Sequence, residues 1–376
     1  MKIGILTLQL HDNYGGLLQA YALKTVLENM GHQVSIVNRR KNTTGISLRL
    51  KELIKIILGR GKRRGIRLSE EEQRIISQHT SYFTDTYIKD ITEPIYSTKG
   101  LKKIADHFDA FIVGSDQVWR PRYSPGISNY FLDFVNNEET IGLSYAASFG
   151  VDNWEYTEKQ TKECKESIRK FKAISVREKS GIDLSKKFLG VKAVHVLDPT
   201  MLIDKGEYVK LINREKEESV KGELLYYVLD INKEKKNLIY ETAKNFNYRT
   251  FSVTRKSIPD KGSVQNIEEC IYPKVTSWLN GFNKAKFVIT DSFHGTAFSI
   301  LFNKPFLVVP NTKRGKARFD SLLEMFGLQE RLIEDLSGFN YEKLEQLPDI
   351  DWEEVNAILA EKKEFSLAFL NLNLIS

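Results

Sequence analysis

The sequence predicts an α/β protein built from doubly wound parallel sheets in two domains. Three observations carry that prediction. The chain opens with a strand–helix–strand unit, the pattern restarts after residue 203, and short apolar runs repeatedly end in polar, glycine-bearing turns. A length of 376 residues is more than one hydrophobic core usually serves, which agrees with two domains. No apolar run approaches the roughly 20 residues of a membrane-spanning helix. Cys164 and Cys270 lie far apart and form no metal-type cluster, so a reducing compartment without disulfides, and no metal, is expected. Met1 to Leu6 reads as a first strand and not as a signal peptide, and a cytoplasmic protein is expected.

Ile3 to Leu8 is the first strand, and Leu17 to Met30 sets Leu17, Leu18, Tyr21, Ala22, Val26 and Leu27 on one helical face. Gly31 ends that helix and Gln33 to Val37 is the next strand. The turn between strand and helix, His11-Asp12-Asn13-Tyr14-Gly15-Gly16, lacks the G-x-G-x-x-G spacing of a dinucleotide loop. Its two glycines either admit a ligand to the backbone or simply make the turn. Phe108 to Val113 is a strand ending in Gly114-Ser115-Asp116-Gln117-Val118-Trp119. There, Trp119 offers a ring on which a sugar can stack while Asp116 or Gln117 holds hydroxyls; the competing reading is a Trp that plugs a domain edge. Thr140 to Ala146 is a strand, Glu158 to Phe171 a helix, and Ala173 to Val176 a strand that delivers Arg177-Glu178. A strand-end guanidinium suits a carboxylate or phosphate, and a structural ion pair with Glu178 is the alternative. Val194 to Leu197 leads to Asp198-Pro199-Thr200, where the proline stops the strand. The first domain is expected to span 1–203.

The second domain, 204–350, repeats the plan. Gly222 to Leu229 is a strand, Lys233 to Phe246 a helix and Arg249 to Val253 a strand, with helices following through Trp278. Lys286 to Thr290 is an apolar strand that breaks at Asp291-Ser292 and re-enters as a helix from Phe293-His294-Gly295 to Leu301. Asp291 or Ser292 caps that helix, which puts His294 in the first turn among free backbone N–H groups. Such a helix start favours anions, and a histidine there can exchange a proton with a bound one. The bland reading is a capped helix whose histidine only packs. Pro305 to Val309 is the next strand, and the following loop brings Lys313, Arg314, Lys316 and Arg318 before a helix over Asp320 to Phe326. Four bases beside a helix start point to a strongly anionic small ligand, and a merely solvated basic loop is the alternative. Trp352 to Leu372, within the terminal segment 351–376, reads as a helix or helix pair that packs back on the first domain.

Charge is uneven. Arg39 to Arg67 carries eleven Lys and Arg against the single acid Glu52, so this stretch alone exceeds the net +7 and the rest is acidic on balance. Nucleic-acid binding is therefore not read from the pI, and the run lacks aromatic residues for base stacking. Within it, Ser47 to Leu58 is an apolar helix studded with bases, followed by a basic run to Arg64. Residues 47–64 either contact an anionic membrane surface peripherally or form a solvated excursion.

Taken together, Asn13-Tyr14-Gly15-Gly16 with Gln19, Gly114 to Trp119, Ser175-Val176-Arg177-Glu178, Asp198-Pro199-Thr200 and Thr290 to Gly295 resemble the polysaccharide pyruvyl transferases. Each motif is short; their order and spacing are what is specific. The resemblance implies a GT-B-like fold, with two Rossmann-like domains facing a central cleft, the acceptor on the first side and the donor on the second. It implies transfer of the enolpyruvyl carbons of phosphoenolpyruvate to two hydroxyls of a sugar in a surface polysaccharide or its lipid-linked precursor, giving a cyclic ketal and phosphate without a cofactor. In the family a histidine and an arginine are associated with catalysis; His294 and Arg177 match them. This chain has Thr-Asp-Ser-Phe before the histidine where other branches are more basic. Asp116 joins the catalytic set and, with Asp12, either holds the acceptor hydroxyls or serves as a second base. Asp12, Asn13, Gly15, Gly16, Gln19, Ser115, Gln117, Trp119, Asp291, Ser292, Gly295, Lys313, Arg314 and Arg318 are the expected substrate-binding residues. Two other functions share this architecture: a nucleotide-sugar glycosyltransferase, and a non-catalytic glycan-binding protein.

Overall fold

In this computed structural model, which describes residues 1–42, 68–217, 219–257, 266–309, 315–336 and 344–374, two parallel sheets are built on the same plan. The first comprises β1 (Lys2–Leu6), β2 (Gln33–Ile36), β3 (Ala110–Val113), β4 (Ile141–Ala147), β5 (Phe171–Val176) and β6 (Val194–His195), in the order β2-β1-β3-β4-β5-β6. Its helices are α1 (Tyr14–Asn29), α2 (Glu70–Ile76), α3 (Gln78–Phe83), α4 (Thr98–Ile104), α5 (Glu158–Ser167) and α6 (Ser180–Leu184). After α7 (Lys205–Arg214) the second sheet takes β7 (Leu224–Tyr227), β8 (Thr250–Phe251), β9 (Phe287–Thr290) and β10 (Phe306–Val308), in the order β10-β9-β7-β8. Helices α8 (Lys233–Phe246), α9 (Val275–Lys284), α10 (Phe293–Leu301), α11 (Ala317–Met325) and α12 (Trp352–Leu374) complete the chain.

In each sheet the first strand lies between the second and the third: β1 between β2 and β3, β7 between β8 and β9. Helix connections therefore leave in opposite directions from the first strand, opening a crevice at its carboxyl end where ligands gather in such folds. Strands β3 and β9 are buried at every position, as strands covered on both faces must be, and they read in sequence as unbroken apolar runs. The two halves share a core. Trp278 of α9 is fully buried, stacks on Tyr14 of α1 at 5.7 Å and meets Phe298 of α10 at 5.0 Å. Helix α12 is a single helix lying against the first sheet: the Leu197 N–H donates to Ser366 Oγ at 3.1 Å, and Phe369 meets the Tyr145 ring at 6.3 Å.

Two local differences from the sequence reading matter. The stretch 11–16 is not all turn, because α1 already begins at Tyr14 and takes both glycines into its first turn. Helices α2, α3, α4 and α7 arise where periodicity alone singles out no element; α2 is set by a capping box between Ser69 and Glu72. Most of the basic segment, residues 43–67 with the whole of 47–64, lies outside the described residues, as do Lys313 and Arg314. Among the described residues no helix is long and apolar enough to cross a membrane.

Candidate active site

The carboxyl ends of β3, β5 and β6 and the start of α10 converge on one buried cluster of charge. Asp198 is its hub. It follows β6, is 2% exposed, and divides its two oxygens. Oδ1 accepts from Thr200 N at 3.0 Å and Thr200 Oγ1 at 2.8 Å, which caps the turn that Pro199 starts. Oδ2 accepts from Arg177 Nη1 at 2.8 Å and from Ser115 Oγ at 3.4 Å, and stands 3.6 Å from His294 Nε2. Burial alone would raise the Asp198 carboxyl; His294 and Arg177 outweigh it and hold the group well below the usual carboxylate range.

Arg177, itself 2% exposed, emerges from β5 and bridges two carboxylates, with Nη2 3.4 Å from Asp116 Oδ1. Its guanidinium lies over the Phe293 ring at 4.4 Å, a cation–π contact in a desolvated place. Burial works against its charge, and Asp198, Asp116 and Glu178 together raise its pKa regardless. The Nε of Arg177 has no hydrogen-bond partner among the described residues. Arg318, on α11, is also buried and sits 5.8 Å from the same Phe293 ring. Burial and the nearby Arg177 lower it to about 10, so both guanidiniums are charged at neutral pH. Two guanidiniums beside one phenylalanine concentrate positive charge at this place, with the carboxylates of Asp198 and Asp116 held by Arg177.

His294 comes from the other half of the molecule. Ser292 is the cap of α10, with its Oγ accepting from Gly295 N at 3.3 Å, so the histidine occupies the first helical turn. Its Nε2 is buried without a hydrogen-bond partner among the described residues. Two glycines define its seat. A methyl built on Gly15 would lie 2.0 Å from Nδ1 of His294, and one on Gly295 would lie 2.2 Å from Thr290 Oγ1. Gly15 therefore lets α1 approach the imidazole, and Gly295 lets α10 turn tightly off β9.

Several expected site residues are held in other work. Asp291 is fully buried and accepts from Leu229 N at 2.6 Å, Asp230 N at 3.1 Å and Lys235 Nζ at 2.8 Å, so it ties β9 to the loop after β7. Gln19 donates to Thr7 Oγ1 at 2.9 Å and to Gly16 O at 3.0 Å and accepts from Ser115 N at 3.1 Å, locking the β1 and β3 loops together. Gln117 accepts from Arg120 Nη1 at 3.1 Å. Trp119 is a correction: it is 0% exposed, stacks on Phe131 at 5.1 Å, and donates from Nε1 to Tyr130 O at 2.9 Å, so no ring face is open to a sugar. It is part of the core beyond the end of β3, with Phe131 and Phe149. Glu178 does not pair with Arg177; its Oε1 accepts from the amides of Phe149 at 2.7 Å and Gly150 at 3.0 Å. Asp12 accepts from Thr80 Oγ1 at 2.9 Å, His11 Nδ1 at 2.8 Å and Gln73 Nε2 at 3.2 Å, and with Asn13 it lines a cavity of 1260 Å³. Sequence reasoning quoted Asp198 within a motif but assigned it no part in the site; the strand-ending Asp-Pro was its only local signal. Among the described residues no group of three or more His, Cys, Asp or Glu is arranged to hold a metal ion.

Two parallel sheets of the same plan, with a charge cluster between the halves, make a GT-B-like scaffold. Solved structures agree. Arabidopsis thaliana UGT89C1, complexed with UDP-L-rhamnose, is similar with a TM-score of 0.51 at 8% identity over 98% of this chain and 97% of that one. The S. aureus MnaA–UDP structure gives 0.49 at 13% identity over 100% and 97%, and Neisseria meningitidis UDP-GlcNAc 2-epimerase 0.47 at 10% over 100% and 95%. The first of these carries the fold, and at such identity nothing more. No curated protein matches the sequence significantly. The chain belongs to the polysaccharide pyruvyl transferase family, whose model matches residues 13–313. It is a transferase of that family, and a polysaccharide acceptor follows from the membership.

Proposed function

We propose that the protein transfers the enolpyruvyl carbons of phosphoenolpyruvate to two hydroxyls of one sugar, in a surface polysaccharide or its lipid-linked precursor, forming a cyclic ketal and releasing phosphate. The observation that carries this reading is the pair of buried arginines, Arg177 and Arg318, within 4.4 and 5.8 Å of the Phe293 ring, together with the buried Nε2 of His294, which has no hydrogen-bond partner among the described residues. A donor bearing both a phosphate and a carboxylate satisfies that pair, and the N-terminus of α10 adds oriented N–H groups.

The reaction needs proton traffic. One sugar hydroxyl adds to C2 while the methylene C3 takes a proton, and the hydroxyl gives up its own. The second hydroxyl then replaces phosphate at C2, and its proton leaves with the phosphate. Two C–O bonds form, the C–O bond to phosphate breaks, and no oxidant is consumed. His294 handles these protons at Nε2, with Asp198 stabilising the imidazolium across 3.6 Å. Positioned acid–base catalysis of this kind supplies roughly 10²–10⁴ in rate. Arg177 and Arg318 neutralise the departing phosphate, and Asp116 serves as the second base on the acceptor side.

The test is calorimetric titration with phosphoenolpyruvate, alongside a panel of nucleotide sugars. Binding of phosphoenolpyruvate that Arg177→Ala abolishes, with phosphate release that His294→Ala slows at least a hundredfold (roughly the lower end of the acid–base range), is the expected result. Binding of a nucleotide sugar alone would replace this reading with glycosyl transfer.

A further inference from the structure

Strands β4 and β5 do not pair evenly. Ser144 lies opposite Ile174 and Ala147 opposite Val176, so three steps along β4 answer two along β5, and β4 carries a bulge between them. Within the bulge Ala146 takes a left-handed backbone, with φ at +48°, although it is fully buried and is not glycine. An alanine persists in that conformation only where its surroundings over-determine it, and such places gather at functional sites. The strand that follows, β5, delivers Arg177.

Serine hydroxyls supply the determination. Ser144 and Ser175 are fully buried and bond each other: Ser144 Oγ donates to Ser175 O at 3.0 Å and accepts from Ser175 N at 3.0 Å. Ser175 Oγ donates to Ser144 O at 2.9 Å and, unlike Ser144 Oγ, also reaches the bulge, where it accepts from Ala146 N at 3.1 Å. The Ala146 carbonyl accepts from Ser115 Oγ at 2.9 Å, and that same hydroxyl stands 3.4 Å from Asp198 Oδ2. One residue on, the Ala147 carbonyl accepts from Arg177 N at 3.2 Å. Both partners of the central ion pair, Arg177 and Asp198, are thus referred to the peptides of Ala146 and Ala147.

We propose that Ser175 is a positioning residue: its hydroxyl holds the β4 bulge at Ala146, and the bulge sets Arg177 and Ser115 against Asp198. The inference rests on the pyruvyl-transfer reading only in naming phosphoenolpyruvate as the ligand that Arg177 clamps. Without the Ser175 hydroxyl, the buried Ala146 N–H loses its acceptor, and the left-handed turn loses what keeps it from relaxing. Ala147 O then moves, and the backbone of Arg177 moves with it. Ser144 has no such reach. Removing its hydroxyl also breaks two buried bonds, yet it leaves Ser175 Oγ on Ala146 N.

That symmetry of loss makes the test. Ser175→Ala and Ser144→Ala are prepared in the full chain, and thermal unfolding, phosphoenolpyruvate binding by calorimetry and a crystal structure without ligand are obtained for each. Both variants should melt lower than the parent by similar amounts. Only Ser175→Ala should also weaken phosphoenolpyruvate binding, by about tenfold or more, which is the loss of one charge-assisted bond. In its crystal structure the 2.8 Å contact of Arg177 Nη1 with Asp198 should open, while Ser144→Ala keeps it. Where Ser175→Ala does not fold, Ser175→Cys against Ser144→Cys carries the same comparison, because a thiol fills the space with a weak acceptor. The inference is overturned if the two variants bind phosphoenolpyruvate alike, or if the Arg177–Asp198 contact is unchanged in the Ser175 variant. A parent that binds no phosphoenolpyruvate removes the donor assignment instead, and the contact measured without ligand then decides the inference.

Discussion

Gly15→Ala tests the arrangement most directly, because it touches no charged group. The added methyl would stand 2.0 Å from His294 Nδ1. Ordinary contact between such atoms is about 3.5 Å, so the ring or the first turn of α1 must retreat by roughly 1.5 Å. A shift of that size changes the 3.6 Å separation of Nε2 from Asp198 by a large fraction. Misplacement by about 1 Å can cost roughly a hundredfold in rate. Stability should change far less: overpacking costs about 1–3 kcal/mol, and alanine in place of glycine within a helix returns about 1 kcal/mol. Gly16→Ala is the matched control, since the atoms nearest its methyl all belong to the Asn13 side chain, none closer than 3.3 Å. Phosphate release from phosphoenolpyruvate and thermal unfolding are measured on both variants. The expected pattern is a fall of about a hundredfold for Gly15→Ala with a melting temperature within a few degrees of the parent, and near-parental values for Gly16→Ala. Gly15→Ala turning over within a few fold of the parent, with its imidazole unmoved in a crystal structure, would refute the reasoning.

Four further outcomes follow from the same geometry. Asp198→Asn leaves Arg177 short of its main partner and should destabilise the fold by about 3–5 kcal/mol, read by denaturant unfolding. The pH dependence has a definite sign: a carboxyl held below its unfolded value of about 3.9 contributes stability above that pH and loses it as pH falls towards the folded value. The parent should therefore lose stability below about pH 4 more steeply than Asp198→Asn, and parallel acid limbs would contradict the assignment. Trp119→Ala should cost about 3–5 kcal/mol while leaving the phosphoenolpyruvate dissociation constant unchanged once the protein is folded, because the ring is core and not ligand surface. Arg177→Lys keeps the charge but cannot span Asp198 and Asp116 or lie flat over Phe293, so weakened donor binding and no rescue relative to Arg177→Ala are expected by calorimetry.

Much of the architecture was legible because the strands are short apolar runs ended by glycine, proline or a polar cluster, and the His294 helix start was readable from Asp291-Ser292 alone. What was not legible depends on partners distant in sequence. The start of α1 was placed too late because two glycines argue against a helix, and only its contact with His294 explains why they lie inside it. Trp119 has the same local sequence whether it faces solvent or core; Phe131 decides, and no periodicity connects the two. Asp291 looked like a ligand because it stands beside the histidine, yet its oxygens are turned back to Lys235 and the β7 loop. Asp198 went without a role because its meaning lies in Arg177 and His294, on another strand and in the other half of the chain.

The division of the cluster between the halves has a mechanical consequence. Arg177, Asp116 and Asp198 ride on the first sheet, while His294, Phe293 and Arg318 ride on the second half, so neither half holds a complete reactive set. The packing that joins the halves, Trp278 on Tyr14 and on Phe298, therefore also sets the spacing of the charge cluster, and a core substitution there should be felt at Asp198 and His294.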